Sequence, residues 1–298
     1  NIIFCFDPYH LASFFISFTL QELKMSFMQT ATPTKEILLQ EFEDKVTKPF
    51  LDVTLGNIVY TVKMNTKLNE RWSTVYGLQG MAQNQKNSDG ADDRLLPNSN
   101  QFDNGIFSNF YLDLKKWKWQ VGVRADLRVM TSEADIMGFP NAFNKQFSGY
   151  NFAIGGVYNF SKHTFRMNSS SGFRVPHLSE LLSDGVHHGT MRYEIGNNQL
   201  IPEKAIQLDV TYEYAGDHLS FIVNPFVSYI ADYIYISPVD SFIDGLQVFN
   251  YSQLNQAYLS GFDAGFHYHP HFAHFLHVES SFSYIRGTSS SEGNLALM

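Results

Sequence analysis

Hydrophobic and polar residues alternate strictly from residue 117 to residue 129. Every odd position from Trp117 to Val129 is apolar, and every even position is charged, polar or glycine. Extended chain of this length spans roughly 40 Å, about twice a usual globular strand. A tilted strand that crosses a lipid bilayer needs both the length and the two-sidedness. We therefore expect a strand with one face against lipid and the other towards a polar interior.

Weaker versions of this pattern recur along the chain and predict about ten strands. No stretch with helical periodicity competes with them. The other predicted strands cover residues 51–66, 71–85, 105–114, 151–160, 162–174, 205–214, 218–236, 257–268 and 274–286.

The connections between the predicted strands alternate between two classes. Tight turns are expected at 159–163, 215–217 and 269–271, whereas long polar loops are expected at 85–102, 131–148, 175–203 and 237–256. Short and long connections then lie at opposite ends of the sheet. This arrangement is typical of outer-membrane barrels, which have short periplasmic turns and long external loops. The fold class that we predict is all-β, an antiparallel transmembrane β-barrel.

The amino-acid composition excludes several other classes of protein and of site. The 298 residues are 15% aromatic and 17% charged, and the absence of an 18-residue apolar run excludes a helical membrane protein. A formal net charge of −8 leaves no basic footprint for nucleic acid. Cys5 is the single cysteine, which excludes internal disulfides and thiolate metal clusters.

The first 48 residues are expected to be irregular and separate from the barrel, which we assign to residues 49–298. The apolar stretch from Leu11 to Leu20 is only ten residues long, and Asp7 with no basic flank makes it a poor signal peptide. The chain starts at Asn1 and stops after an apparent strand and loop. We interpret it as a fragment, part of a larger barrel.

Two motifs carry a resemblance to a known family. Residues 172–181 read Gly-Phe-Arg-Val-Pro-His-Leu-Ser-Glu-Leu, and residues 196–203 read Gly-Asn-Asn-Gln-Leu-Ile-Pro-Glu. This resembles the TonB-dependent outer-membrane receptors, in which a Gly-Phe-Arg-Ala-Pro-x-Leu-x-Glu-Leu motif ends a barrel strand and Gly-Asn-x-x-Leu-x-x-Glu opens the next. Val175 stands where the family usually has Ala. The histidines of 184–190 and 267–277 look most like a subgroup linked to uptake of zinc or other metals.

The resemblance implies an active transporter of the Gram-negative outer membrane. Its barrel would have 22 strands around a plug domain that couples to the TonB energy complex, and about ten of those strands would lie here, with the plug absent. The cargo would be a scarce metal ion, with Zn²⁺ favoured, or a metal chelate such as a siderophore. No cofactor is implied. The other partners would be membrane lipid and lipopolysaccharide.

Arg174 and Glu180, within the first motif, allow two interpretations. Arg174 lies on the polar face of its strand just before Pro176 ends the ladder, and Glu180 lies in the turn that follows. Arg174 either pairs with a neighbouring carboxylate and stiffens the rim, or one of the two side chains contacts plug or substrate.

Eleven histidines make metal binding the second candidate chemistry. Neutral imidazole together with carboxylate suits Zn²⁺, Ni²⁺ or Cu²⁺. A first group lies in the predicted external loop, where its histidines bind metal or are simply exposed. Its members are His177, His187, His188, Asp184 and Glu194.

A second group surrounds the turn at Pro270. His267 and His269 share the polar face of one predicted strand, and His277 lies on the same face of the next. His271, His274, Asp263 and Glu279 lie nearby in the sequence. The group is either an exit-side metal site or a polar ring satisfied by water and plug contacts.

An enzyme is not expected, because no Gly-x-Ser-x-Gly elbow, His-Glu-x-x-His helix or phosphate loop occurs. The alternatives to a metal receptor are a passive outer-membrane channel or adhesin-type barrel, and a soluble β-sandwich with a binding or hydrolytic role.

Overall fold

A computed structural model describes residues 2–6, 12–27, 51–87, 95–134, 141–187, 189–270, 272, 275–289 and 293–294. These residues form fifteen strands and one short helix. The elements are β1 Ile2–Phe6, β2 Ala12–Phe27, β3 Leu51–Lys67, β4 Trp72–Asn87, β5 Ser99–Leu114, β6 Trp117–Ser132, β7 Phe143–Phe160, β8 His163–Arg174, α1 Leu178–Leu182, β9 Asp184–His187, β10 Arg192–Ile195, β11 Glu203–Ala215, β12 Leu219–Ile243, β13 Leu246–Tyr268, β14 Val278–Ser289 and β15 Gly293–Asn294.

One antiparallel sheet contains the long strands in chain order. β1 to β8 are followed by β11 to β14, and each strand pairs with its neighbour in sequence. All sixteen residues of β6 pair with β5 on one side and with β7 on the other. Within the described residues no strand joins β1 to β14, so the sheet is open. We call this sheet of long strands, β1–β8 and β11–β14, the wall. No helix in this part of the chain is long and apolar enough to cross a membrane.

The wall has two chemically different faces. On β6, Trp117, Trp119, Val121 and Val123 are 40–52% exposed on one side, which we call the outer face. Arg124, Asp126 and Arg128 lie on the opposite side, the inner face, where they make ion pairs. The two-faced strand that the alternation predicted at 117–129 is therefore confirmed.

Aromatic side chains line the outer face beside the short turns. The two indoles of Trp117 and Trp119 stack with ring centroids 5.7 Å apart, and Trp117 also contacts Tyr158 on β7. Phe165 and Tyr212 stack in the same way across β8 and β11. We call this end of the wall the short-turn end and the opposite end the loop end.

The prediction of a long polar loop at 237–256 is wrong. β12 and β13 run for 25 and 23 residues, and a two-residue turn at Asp244 and Gly245 joins them. Both turn residues have positive φ, 50° and 80°, as the common type I′ hairpin turn requires. Backbone pairing does not depend on an apolar surrounding. The ladder therefore continues past the point where side-chain alternation weakens.

The prediction that residues 1–48 are irregular is wrong for Ile2–Phe6 and Ala12–Phe27, which are β1 and β2. All sixteen residues of β2 pair with β3, so the sheet crosses the domain boundary expected at residue 49. The physical reason is that without β2 a row of backbone amides and carbonyls on β3 would have no partner.

The segment 175–202 folds back on the inner face at the loop end. It contains α1 and the hairpin β9–β10, and β10 pairs in parallel with the extended part of β13, with Tyr193 opposite Val248. A small core forms beneath it, in which each buried side chain is at most 8% exposed. The buried members are Met130, Phe147, Val175, Leu181, Leu200 and Ile234.

Candidate functional site

Arg174 connects the inward-folded loop to the wall. It is the last residue of β8, where Nε and Nη2 donate to the two carboxylate oxygens of Glu203 at 2.6 and 2.7 Å. Nη1 donates to both oxygens of Glu180, each at 2.9 Å. Such paired, charge-assisted bonds are strong and fix the plane of the guanidinium. We call Arg174, Glu180 and Glu203 the arginine clamp.

Each carboxylate of the clamp also binds backbone. Glu180 accepts a hydrogen bond from the amide of His177, the residue before α1, at 2.7 Å. Glu203 accepts one from the amide of Ile234 on β12 at 2.6 Å. The clamp therefore joins β8, α1, β11 and β12. The pairing interpretation of Arg174 describes these contacts, and contact with plug or substrate stays a prediction.

Two glycines, one within the second motif and one facing the first, lie where other parts of the chain approach closely. A Cβ added to Gly196 would lie 2.6–2.7 Å from backbone atoms of Leu181, Leu182 and Ser183, so the end of α1 rests directly on this glycine. A Cβ on Gly149 of β7 would lie 2.4 Å from the ring of Phe173, the Phe of Gly-Phe-Arg. Glycine is needed at Gly196 because backbone approaches closely, and at Gly149 because an aromatic ring does.

A charged groove of about 410 Å³ runs along the inner face beside the clamp. Arg128 pairs with Asp103 across two strands at 2.6 Å, and Arg124 pairs with Asp126 at 2.6 Å. Gly105 leaves the space that the second pair occupies, because a Cβ there would lie 2.3 Å from both partners. Asn151, Phe173, Arg174 and His177 also line the groove.

The structure does not assemble the first histidine group within the described residues. His187 contacts the Thr190 hydroxyl at 3.1 Å, and Asp184 accepts a hydrogen bond from Tyr193 at 2.9 Å. His177 is exposed at the start of α1. His188 lies outside the described residues, so metal capture in this loop stays a prediction.

Glu194, a member of the predicted metal-binding set, makes other contacts in the structure, and metal binding by it stays a prediction. It is 1% exposed, and its carboxylate accepts hydrogen bonds from Arg192 at 2.7 Å and from the Tyr251 hydroxyl at 3.1 Å. Burial, together with this carboxylate, raises the pKa of Tyr251 well above its usual range. Arg192 also lies over the ring of Phe249, 4.9 Å from its centroid. These contacts fasten β10 to β13.

The second histidine group does come together. The imidazoles of His267, His269 and His277 each offer one nitrogen, and these three atoms lie within 4.8 Å of one another. Nε2 of His267 is 3.4 Å from Nδ1 of His277. Asp263 instead accepts a hydrogen bond from the Ser283 hydroxyl at 2.6 Å, and Glu279 pairs with His267 in register. His271 and His274 lie outside the described residues.

Comparison with known proteins gives the same architecture. The family model described as "TonB dependent receptor-like, beta-barrel" matches residues 26–296. The chain belongs to this family. The family membership and the strand pairing confirm the predicted fold class, an antiparallel β-barrel of which this chain holds a part.

Solved structures of TonB-dependent receptors superpose on most of the chain. The copper transporter OprC matches with a TM-score of 0.71 and 14% identity over 95% of this chain and 44% of its own. The FrpB iron transporter from Neisseria meningitidis (F5-1 variant) gives 0.65 and 12% over 97% and 44%. The Serratia marcescens hemophore receptor HasR gives 0.61 and 11% over 93% and 49%.

The chain thus spans less than half the length of these three proteins. At such low identity the likeness concerns the fold alone.

The sequence did not predict two contacts of the site. One is the pairing of Glu203 with Arg174 in the clamp, although the second motif ends on Glu203. The other is the hydrogen bond from Tyr251 to Glu194, which no local pattern indicated because the two residues are 57 positions apart.

We predict that Gly196→Ala loosens the loop. The new methyl group would overlap backbone that cannot rotate away, at a cost of about 1–3 kcal/mol. Limited proteolysis within residues 175–202 should become faster. Gly172→Ala is the matched control, because a Cβ there meets only the Cβ of Ala205 at 3.6 Å. Equal cleavage of the two variants would contradict the role given to Gly196.

We predict that Arg174→Gln opens the same loop by removing the countercharge of a buried carboxylate, Glu203, and a half-buried one, Glu180. Since Arg174 is itself partly exposed, we expect a local cost of about 2–3 kcal/mol. Amide hydrogen exchange in 178–202 should accelerate about 30-fold or more, while β5–β7 keep their protection.

Arg166→Gln is the control for this variant. It breaks one exposed ion pair, Arg166 to Glu213 at 2.8 Å, on β8 and β11 away from the loop. Unchanged exchange in 178–202 for Arg174→Gln, or the same acceleration in both variants, would refute the clamp.

Proposed function

We propose that this chain forms part of the wall of a Gram-negative outer-membrane receptor that actively imports a scarce metal ion or a metal chelate. Membership of the TonB-dependent receptor family is the observation that carries the proposal. Three structural neighbours are named as a copper transporter, an iron transporter and a hemophore receptor in complex with heme. Each of these names involves a metal.

Family membership supports a plugged receptor over a passive channel. The described wall already has eleven strands of 12–25 residues and remains open, so a closed barrel would need more. Barrels of 16–18 strands leave an aqueous channel, whereas 22-stranded transporters have a plugged lumen. In the proposal a separate plug fills the lumen and the TonB complex of the inner membrane moves it.

The two faces then acquire distinct roles. The exposed apolar outer face contacts lipid and, at its loop end, lipopolysaccharide, and the aromatic rows of the short-turn end mark the periplasmic interface. The inner face, with its groove of paired arginines and aspartates, contacts the plug or a charged cargo. Arg174 is 37% exposed and lines that groove. It and Glu180 are the proposed rim contacts, with the clamp setting their position.

Zinc is the cargo that we favour, because histidines occur in groups at both ends of the wall and neutral imidazole is a common zinc ligand. In this proposal the external loop of His177, His187 and His188 captures the ion. A movement of the plug then releases it towards the periplasm.

The proposal predicts energy-dependent zinc uptake by the full-length protein. Gram-negative cells that lack their own zinc receptor and are starved by a chelator should take up radioactive zinc when they make this protein. The uptake should saturate and should stop when TonB is deleted, since a plug without coupling stays in place.

Uptake that rises linearly with zinc concentration and persists without TonB would contradict the receptor and favour the passive channel. Saturable, TonB-dependent uptake of a copper ion or an iron chelate in place of zinc would refute only the choice of zinc.

A further inference from the structure

Three histidines converge on the inner face at the short-turn end of β13 and β14. Phe266 and Tyr268 of β13 lie on the outer face. Asp263 and His267, at alternate positions of the strand, therefore lie on the inner side, and His269 follows directly after its end. Tyr268 and Val278 form the last backbone pair before the turn. His277, one residue before that pair, thereby faces His269 across the hairpin. The ring centroids of the three imidazoles lie 5.2–5.7 Å apart.

We propose that His267, His269 and His277 bind one divalent transition-metal ion, with Zn²⁺ as the preferred ion. A tetrahedral zinc with Zn–N distances of about 2.0–2.1 Å holds its ligand nitrogens about 3.3–3.4 Å apart. Nε2 of His267 and Nδ1 of His277 are already 3.4 Å apart. The remaining separations are at most 4.8 Å, and small rotations of exposed or half-buried rings close them.

The same distance argues against a simple polar ring. A separation of 3.4 Å is longer than a normal N–H hydrogen bond, whose heavy atoms lie about 2.7–3.2 Å apart. The two rings lie nearly parallel, 9° apart. Neighbouring nitrogens in this position suit a shared cation between them better than a bond to each other.

The ligand type selects the metal. Three imidazole nitrogens suit Zn²⁺, Cu²⁺ or Ni²⁺, whereas Ca²⁺ and Mg²⁺ require oxygen ligands. Among these ions Zn²⁺ is preferred, because three protein ligands with a fourth open position are a common zinc arrangement. Three histidines leave the fourth zinc position to water or to Glu279, which stands opposite His267 in the register.

The position gives this site a role in the transport path. The short-turn end is the periplasmic mouth of the lumen if the proposed function is correct, and on that basis the site is the last one that an imported ion meets. Zinc binding itself does not depend on the direction of transport.

The test measures zinc binding to the full-length protein in detergent micelles, in competition with a chromophoric chelator. The triple variant His267→Ala, His269→Ala and His277→Ala should lose one zinc equivalent, with affinity at least about 100-fold weaker, because even loss of a group that orients a metal ligand costs 10–100-fold. His277→Ala alone changes an exposed residue outside the strands, so its fold should be preserved, and it should weaken the site at least about 10-fold.

His163→Ala is the matched control. His163 lies at the same end of the wall but on the outer face, where Nδ1 is 2.9 Å from the Tyr212 hydroxyl. Its zinc binding should equal that of the unaltered protein. Co²⁺ bound in place of zinc should give the intense visible bands of a tetrahedral site, which His277→Ala should abolish.

Equal zinc affinity in the unaltered protein and the triple variant would overturn the proposal, and so would the weak bands of octahedral Co²⁺. The outcome is separable from that of the proposed function. Loss of the zinc equivalent in a protein whose uptake is independent of TonB would support this site and refute the active receptor.

Discussion

Backbone hydrogen bonding in apolar surroundings is the constraint on which this structure depends. The outer face exposes large apolar side chains on every long strand from β4 to β14, so amides and carbonyls must find partners within the sheet. The complete pairing of β6 on both sides satisfies this requirement. Alternation then fixes which side chains meet the lumen. Charged and metal-binding side chains are therefore confined to the inner face and to the two ends of the sheet.

The arginine clamp acts where backbone pairing between β7 and β8 stops. β7 and β8 are paired from Phe160 and His163 only as far as Ala153 and Ser170. Beyond that point Phe173 moves over Gly149, and Arg174 binds carboxylates from the loop and from β11. Side-chain bonds thus replace the ladder between β7 and β8 at the loop end, while β8 stays paired with β11 as far as Arg174 and Glu203. At the opposite end the turns are short, and the three convergent histidines occupy the inner side of one of them.

Structural features that follow the two-residue alternation of apolar and polar side chains could be predicted from the sequence. The strand at 117–129, its two faces and the short turns at 159–163 and 215–217 followed from alternation, and the two motifs pointed to the family. The tight turn predicted at 269–271 is wrong, because β13 ends at Tyr268 and β14 begins only at Val278. The extended hairpin at 237–256 was missed because backbone pairing continues there without clear alternation. β2 was missed because its apolar stretch suggested a failed signal peptide. Contacts such as Glu194 with Tyr251 join distant residues that no local pattern connects. The convergence of His267, His269 and His277 was foreseeable, since register alone places them together.

The central claim is that the wall separates lipid from a polar lumen, and spin-label accessibility along β6 tests it most directly. One label is placed in turn at each position from 117 to 129 of the full-length protein in lipid bilayers. Collisions with oxygen, which concentrates in lipid, should be highest at odd positions such as Val121 and Val123. Collisions with a water-soluble nickel chelate should be highest at even positions such as Gln120 and Gly122. An accessibility profile without this two-residue period, or with the two faces exchanged, would contradict the account.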